Sequence, residues 1–220
     1  MNFPPLNQAR HPQNLHHNAK NTEVLSSLLD CVAFICLAGF GSTAFSMWAP
    51  SLFCYYATYL CNLLLHDATL VMNWANSIFT CITFNFGLLM LCFCHTDSGN
   101  LSFSWCAITA LSKFNYCCGG HLILWDLKLV INFPPGSTIL IPSAILQHSN
   151  TSLTHGEWCY SFTQYTLGAL FCWVDYRFQS SKSYWASLAT DQWEKATQER
   201  EERWRLGLSL FSTLEKLQAM

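Results

Sequence analysis

The residues best suited to chemistry are His95-Thr96-Asp97, an imidazole and a carboxylate on alternate positions at the end of an expected strand, and His148, far along the chain at another strand end. In an extended segment residues i and i+2 point to the same side. His95 and Asp97 can therefore face one ion together, and a distant strand folded alongside can bring His148 as a third ligand. Two histidines and one carboxylate occupy one face of an iron ion and leave its other positions open, as in non-haem Fe(II) oxygenases. On pattern alone a second reading stands beside this one, because His-x-Asp pairs are common and histidines of β proteins often make ordinary hydrogen bonds. His121 and His155 read as surface or cross-strand residues. His66-Asp67 reads as a solvated pair at a helix end, where the dipole favours His but not Asp. The 12 cysteines form no zinc pattern: Cys92 and Cys94 are one residue apart, Cys117 and Cys118 are adjacent, and CxxC is absent. Most read as reduced, buried thiols. Asn100-Leu101-Ser102 and Asn150-Thr151-Ser152 match the glycosylation pattern, which has meaning only in a secreted chain.

The elements that must position these residues come from 220 residues that are 51% hydrophobic, 15% aromatic and 11% charged, against roughly 25% charged in an ordinary soluble domain. A formal net charge of −2, with Lys113 and Lys128 the only Lys or Arg between Cys31 and Val174, leaves nucleic-acid affinity by charge weak at best. Two uncharged stretches, Cys31 to His66 and Ala68 to Cys94, are long enough to span a bilayer. Gly39, Gly41 and Pro50 interrupt the first, and Asn73, Asn76 and Asn85 the second. Neither has a flanking Lys/Arg cluster. A soluble core is the expectation, with a small multi-spanning membrane protein as an alternative. The N-terminus does not read as a signal peptide, so an intracellular location, nucleus or cytoplasm, is expected.

Four segments follow from the patterning. Residues 1–20 form an irregular, polar arm. Residues 21–76 form a helical layer: apolar positions recur at three and four from Asn21 to Leu37, with Thr22 as N-cap, and a second helix covers Thr43 to Leu65, where Pro50 kinks it or sits in its first turn. Residues 77–178 hold short Ile, Phe, Thr and Val runs cut by Gly, Pro, Asn and Ser, the texture of a sandwich or barrel. The expected strands are Ile78 to Phe86, Leu88 to Cys94, Phe103 to Leu111, His121 to Phe133, Thr138 to Pro142 and Cys159 to Trp173. Residues 179–220 return to helix, with Asp191 and Glu194 as a capping box and Trp193, Trp204, Leu206, Leu210 and Leu214 as the face laid on the sheet. The run Glu199 to Glu202 with Arg200, Arg203 and Arg205 reads as a solvated face. Helices first, strands in the middle and helix last make a single α+β domain.

The phrases Gly119-Gly120-His121-Leu122-Ile123-Leu124-Trp125-Asp126-Leu127-Lys128-Leu129, Phe133-Pro134-Pro135-Gly136-Ser137-Thr138-Ile139-Leu140-Ile141-Pro142-Ser143-Ala144, His148-Ser149-Asn150 and Ser161-Phe162-Thr163-Gln164-Tyr165 resemble an expanded mushroom-type fungal family. Its members are similar to the Fe(II)- and 2-oxoglutarate-dependent dioxygenases related to the TET and J-binding-protein hydroxylases. The resemblance runs from about Asn21 to Leu214. It implies a double-stranded β-helix (jelly-roll, cupin-like) with N-terminal helices and a C-terminal helix. It also implies iron on His95, Asp97 and His148, and oxidation of a nucleic-acid base or other substrate coupled to decarboxylation of 2-oxoglutarate.

The departures bear on function as much as the matches. A guanidinium fork neutralises the far carboxylate of 2-oxoglutarate in a site closed to water. The family carries Arg near two positions where this chain has Cys159 and Cys172, and Cys94 stands where a basic residue is expected. Arg-to-Cys and Arg-to-Trp are what C-to-T changes at CGN codons produce, so the cysteine and tryptophan excess and the shortage of cations share one explanation, a mutated copy. The expectation is a dioxygenase fold with impaired 2-oxoglutarate binding, the alternative a non-catalytic remnant or binding module on the same fold.

Overall fold

The computed structural model describes residues 11–87 and 91–219. Half of the expected arm (1–10), positions 88–90 of the expected strand Leu88 to Cys94, and Met220 lie outside the described residues. Three helices come first: α1 (Ala19–Leu29), α2 (Val32–Trp48) and α3 (Pro50–His66). Seven strands follow, β1 (Cys81–Asn85), β2 (Cys106–Lys113), β3 (Leu122–Leu124), β4 (Leu129–Ile131), β5 (Thr138–Ile141), β6 (His148–Asn150) and β7 (Trp158–Tyr165). Helices α4 (Gly168–Asp175), α5 (Ser181–Ser187), α6 (Thr190–Ser209) and α7 (Leu214–Gln218) close the chain. The class is α+β, and every strand pairing is antiparallel.

The strands make two sheets, β1-β7-β2-β5 and β4-β3-β6. Period-2 alternation decides which side chains lie between them. Cys106, Ala110, Ile141 and Cys159 of the larger sheet pack with Leu122 and Leu124 of the smaller one, and Phe114 and Phe133 close the cluster. The opposite face of the larger sheet carries Ala107 and Phe162. Ala107 joins Phe45, Leu52, Tyr56 and Phe79 in one core cluster, and Phe162 joins Ala38 and Trp74 in another. Thus α2 and α3 cover the sheet as a layer, and among the described residues no single helix is long and apolar enough to cross a membrane; the pair α1 and α2 passes that test only together and is bent by 68°.

Several boundaries differ from the sequence reading, each for a local reason. The first helix breaks at Asp30-Cys31, and Asn18 rather than Thr22 caps it, its side chain accepting from the Asn21 N–H. The glycines expected to interrupt the next run instead lie inside α2. A Cβ on Gly41 would stand 2.6 Å from Gln164 Nε2 and 3.3 Å from Ala107 Cβ, so glycine there permits helix and sheet to approach. Pro50 starts α3 at its first turn, where its missing N–H costs nothing. The expected strand His121 to Phe133 is a hairpin, β3 and β4, turning at Trp125–Lys128, with Lys128 at φ 54°. The expected strand Cys159 to Trp173 ends at Tyr165 and continues as α4. The single C-terminal helix is three helices, and the reach-back of its longest, α6, is made by Gln192, whose Oε1 accepts from the Ala189 N–H, rather than by Asp191 and Glu194.

Candidate metal centre

His148 lies in β6, whose outer neighbour is a two-way bridge to His95: the His95 N–H donates to the His148 carbonyl at 3.1 Å and the His148 N–H to that of His95 at 2.9 Å. His95 is thus an isolated bridge residue rather than the end of a long strand. Asp97 is fixed by other means. Its N–H donates to the Ser143 carbonyl at 2.9 Å, and its own carbonyl accepts from the Asn100 N–H at 2.9 Å. This is the Asp97-Ser98-Gly99-Asn100 turn, tied at its far side by the Asn100–Leu167 bridge. Sequence phrases without chemistry of their own set these positions. The Trp125 indole donates to Ser149 Oγ at 2.9 Å and Asp126 Oδ2 accepts from the Gln147 N–H at 2.7 Å, so the hairpin turn clamps the strand that carries His148.

The outcome is one group: ligand atoms of His95, Asp97 and His148 all lie within 4.8 Å of one another. The His95 and His148 rings are 4.4 Å apart between centroids, and His95 Nε2 stands 3.7 Å from Asp97 Oδ1. Each histidine uses Nδ1 locally, His95 towards the Phe93 carbonyl at 2.7 Å and His148 towards that of Leu146 at 2.9 Å. A carbonyl can only accept, so in the neutral rings Nδ1 carries the proton and Nε2 presents its lone pair. That tautomer is the one a metal ligand needs. The buried His148 (6% exposed) is the fixed member, while His95 and Asp97 are partly open to solvent, with side-chain exposures of 42% and 33%. These three side chains are the ones that would hold a metal ion here.

Among the described residues, the inward positions next to this group mix polar and apolar side chains and include no Lys or Arg. The inward positions of the larger sheet are Cys81, Thr83 and Asn85 on β1, Cys106, Ile108 and Ala110 on β2, Ile139 and Ile141 on β5, and Cys159, Ser161, Thr163 and Tyr165 on β7, following the register. Asn85 donates to Ser161 Oγ at 3.0 Å. Burial, aided by the Asp97 carboxylate, pushes up the Cys92 thiol and the Tyr165 phenol. Burial and the same carboxylate push the Cys106 thiol up to about 12. Burial and then Cys92 push up Cys159. Cys92, Cys106 and Tyr165 thus feel the Asp97 carboxylate, and Cys159 feels Cys92.

Of the two cysteines singled out in the sequence, Cys159 is buried and inward-facing, on the wall of this space. Cys172 belongs to α4 and accepts a contact from Arg203 Nη1 at 3.6 Å, in a different cluster. His121 hydrogen-bonds Thr151, a cross-strand role, and His66 stacks on Phe178 at 3.8 Å. The sequence reading missed Arg203, which pairs with Asp175 at 2.7 Å; inside a run of charges on a helix it had no distinguishing signal. It also missed Ser143, Asn100 and Asn150 as residues that hold the segments carrying His95, Asp97 and His148.

No protein-family model matches the chain, and no curated protein matches it. Among solved structures it is similar to NgTET1 in complex with 5mC DNA, with a TM-score of 0.50 and 16% identity over 68% of this chain and 54% of that one. The chain thus spans about half the length of the structure it matches, and the likeness is one of fold.

Proposed function

We propose that this chain is a dioxygenase-type metal protein, with residues 77–178 forming a double-stranded β-helix between the helical layer 21–76 and the C-terminal segment 179–220. Fe(II) is the ion its donors suit. The observation that carries the reading is the convergence of His95, Asp97 and His148 with both Nε2 atoms presented. Bound there, Fe(II) supplies open coordination positions for oxygen and a co-substrate. The chain's own part is to hold the ion from one side, keep both imidazoles in the ligating tautomer and wall the site with Thr163, Tyr165 and Cys106.

The residues do not fit 2-oxoglutarate equally well. Its far carboxylate needs a cation in a dry site, and the inward positions offer Cys159 and hydroxyls instead. Removing one partner of a buried ion pair costs about 3–5 kcal/mol, a hundredfold or more in affinity. The reading is therefore a dioxygenase fold that keeps its metal and has lost most of its hold on the co-substrate; a non-catalytic module on the same scaffold is the limit of that loss. The fold likeness makes a nucleic-acid base the first substrate class to try, although the charge of −2 lends no affinity for duplex phosphates.

Anaerobic calorimetric titration with Fe(II) tests the metal reading. One ion per chain is expected for the parent, with affinity at least about tenfold weaker in Asp97→Ala and His148→Ala, since each removes a ligand. Equal binding by parent and both variants would remove the reading.

A further inference from the structure

A cleft of about 460 Å³ opens where α3, α4, α5 and α6 meet, within the roughly 300–1,000 Å³ typical of small-molecule sites. One wall is aromatic. Tyr184 and Trp185 of α5 stand at 5.5 Å, and Tyr176 stacks on Tyr184 at 4.8 Å. Tyr55 and Tyr59 of α3 line the other side, and Arg200, Arg203 and Arg205 reach in from α6.

The acids around the cleft are already engaged. Asp175 accepts from Arg203 at 2.7 Å and from the Tyr59 hydroxyl. Glu199 faces Lys195 at 3.9 Å, and Glu202 accepts from Gln198 at 3.3 Å. Of the guanidinium groups, Arg203 is held by Asp175, and Arg205 lies over the Trp204 ring at 5.5 Å. Among the described residues Arg200 makes no hydrogen bond or ion pair. The cleft therefore pairs a stacking wall with two exposed guanidinium groups that hold no ion pair among the described residues, Arg200 and Arg205, while its most enclosed carboxylate, Asp175, is held by Arg203 and Tyr59.

We propose that this cleft binds a planar aromatic ring bearing one anionic group, a phosphate or a carboxylate. The ring stacks on Trp185 and meets Tyr184, which stands at 80° to Trp185, edge to face, and the anion takes a charge-assisted pair from Arg200. The site shares no residue with His95, Asp97 and His148, so the inference stands independently of the metal reading.

Calorimetry on the full chain tests it with AMP as the phosphate arm and indole-3-acetate as the carboxylate arm, against adenosine and ribose 5-phosphate as the two halves of the former. Saturable binding of at least one ring-bearing anion is expected; the arm that binds identifies the source. That ligand should bind about tenfold more weakly to Arg200→Ala, the worth of one charge-assisted hydrogen bond, and the loss should be partly recovered in Arg200→Lys. Arg200 is exposed, so the substitutions leave the fold intact, as far-UV circular dichroism would verify. The proposal is overturned if neither arm saturates, if ribose 5-phosphate binds as well as AMP where AMP is the arm that binds, or if Arg200→Ala binds like the parent.

Discussion

In the proposed function, Cys159 is the residue on which the weak hold on 2-oxoglutarate turns. It is buried on the inward face of β7, in the core cluster of Cys106 and Ala110, so a guanidinium placed there would point into the interior rather than into solvent. Cys159→Arg is expected to bring 2-oxoglutarate binding into the measurable range in a calorimetric titration of the iron-loaded chain. Cys172→Arg alone should not, because that position faces Arg203 on the outer helices. The same environments set thiol chemistry. Thiolate is the reactive form, and burial keeps Cys106 protonated up to about 12. At pH 8 the exposed Cys31, Cys36, Cys54 and Cys61 should react with a disulfide reagent promptly, with Cys106 protected until the chain unfolds; mass mapping of the labelled cysteines checks this.

At the level of elements, one short connection holds the strand of His148, one close approach packs the segment before β3 on the chain after β6, and each can be loosened separately. Asp126→Ala frees the Gln147 N–H and with it the strand that carries His148. Affinity for Fe(II) should fall about tenfold, the lower end of the effect of a lost outer-sphere partner, while stability falls by only about 1 kcal/mol. Gly119→Ala acts through sterics, since its Cβ would lie close against the Ser152 carbonyl and 3.1 Å from Leu153 Cα. A loss of about 1–3 kcal/mol in denaturant unfolding is expected. These connections also show what could be read in advance. The triad residues were legible because the phrases around them resemble a dioxygenase family, His-x-Asp alone being too common to mark them, and the helical layer because apolar positions recur at helical spacing. Where α1 ends and where β3 turns into β4 were not, since Asp30-Cys31 and Trp125–Lys128 lack a glycine or proline to mark them. Gly39 and Gly41 misled in the other direction: in composition they resemble a break, but in space one of them is the contact point with Gln164.

For the whole molecule, buried acids that stay neutral tie the fold to pH. Tyr56 and Cys106 are both raised by burial, whereas in the unfolded chain they ionise near their ordinary values of 10.0 and 9.0. Their contribution is therefore fully present below about pH 9 and is lost progressively as pH rises towards 12. Chemical denaturation should show stability falling across that window, less steeply in Cys106→Ala. The larger question is whether one scaffold has kept its metal and lost its co-substrate. The most direct measurement is a calorimetric titration of 2-oxoglutarate into the chain carrying one equivalent of Fe(II) under argon. The account predicts no saturation at sub-millimolar 2-oxoglutarate while the ion stays bound, and saturable binding at micromolar concentration would contradict it.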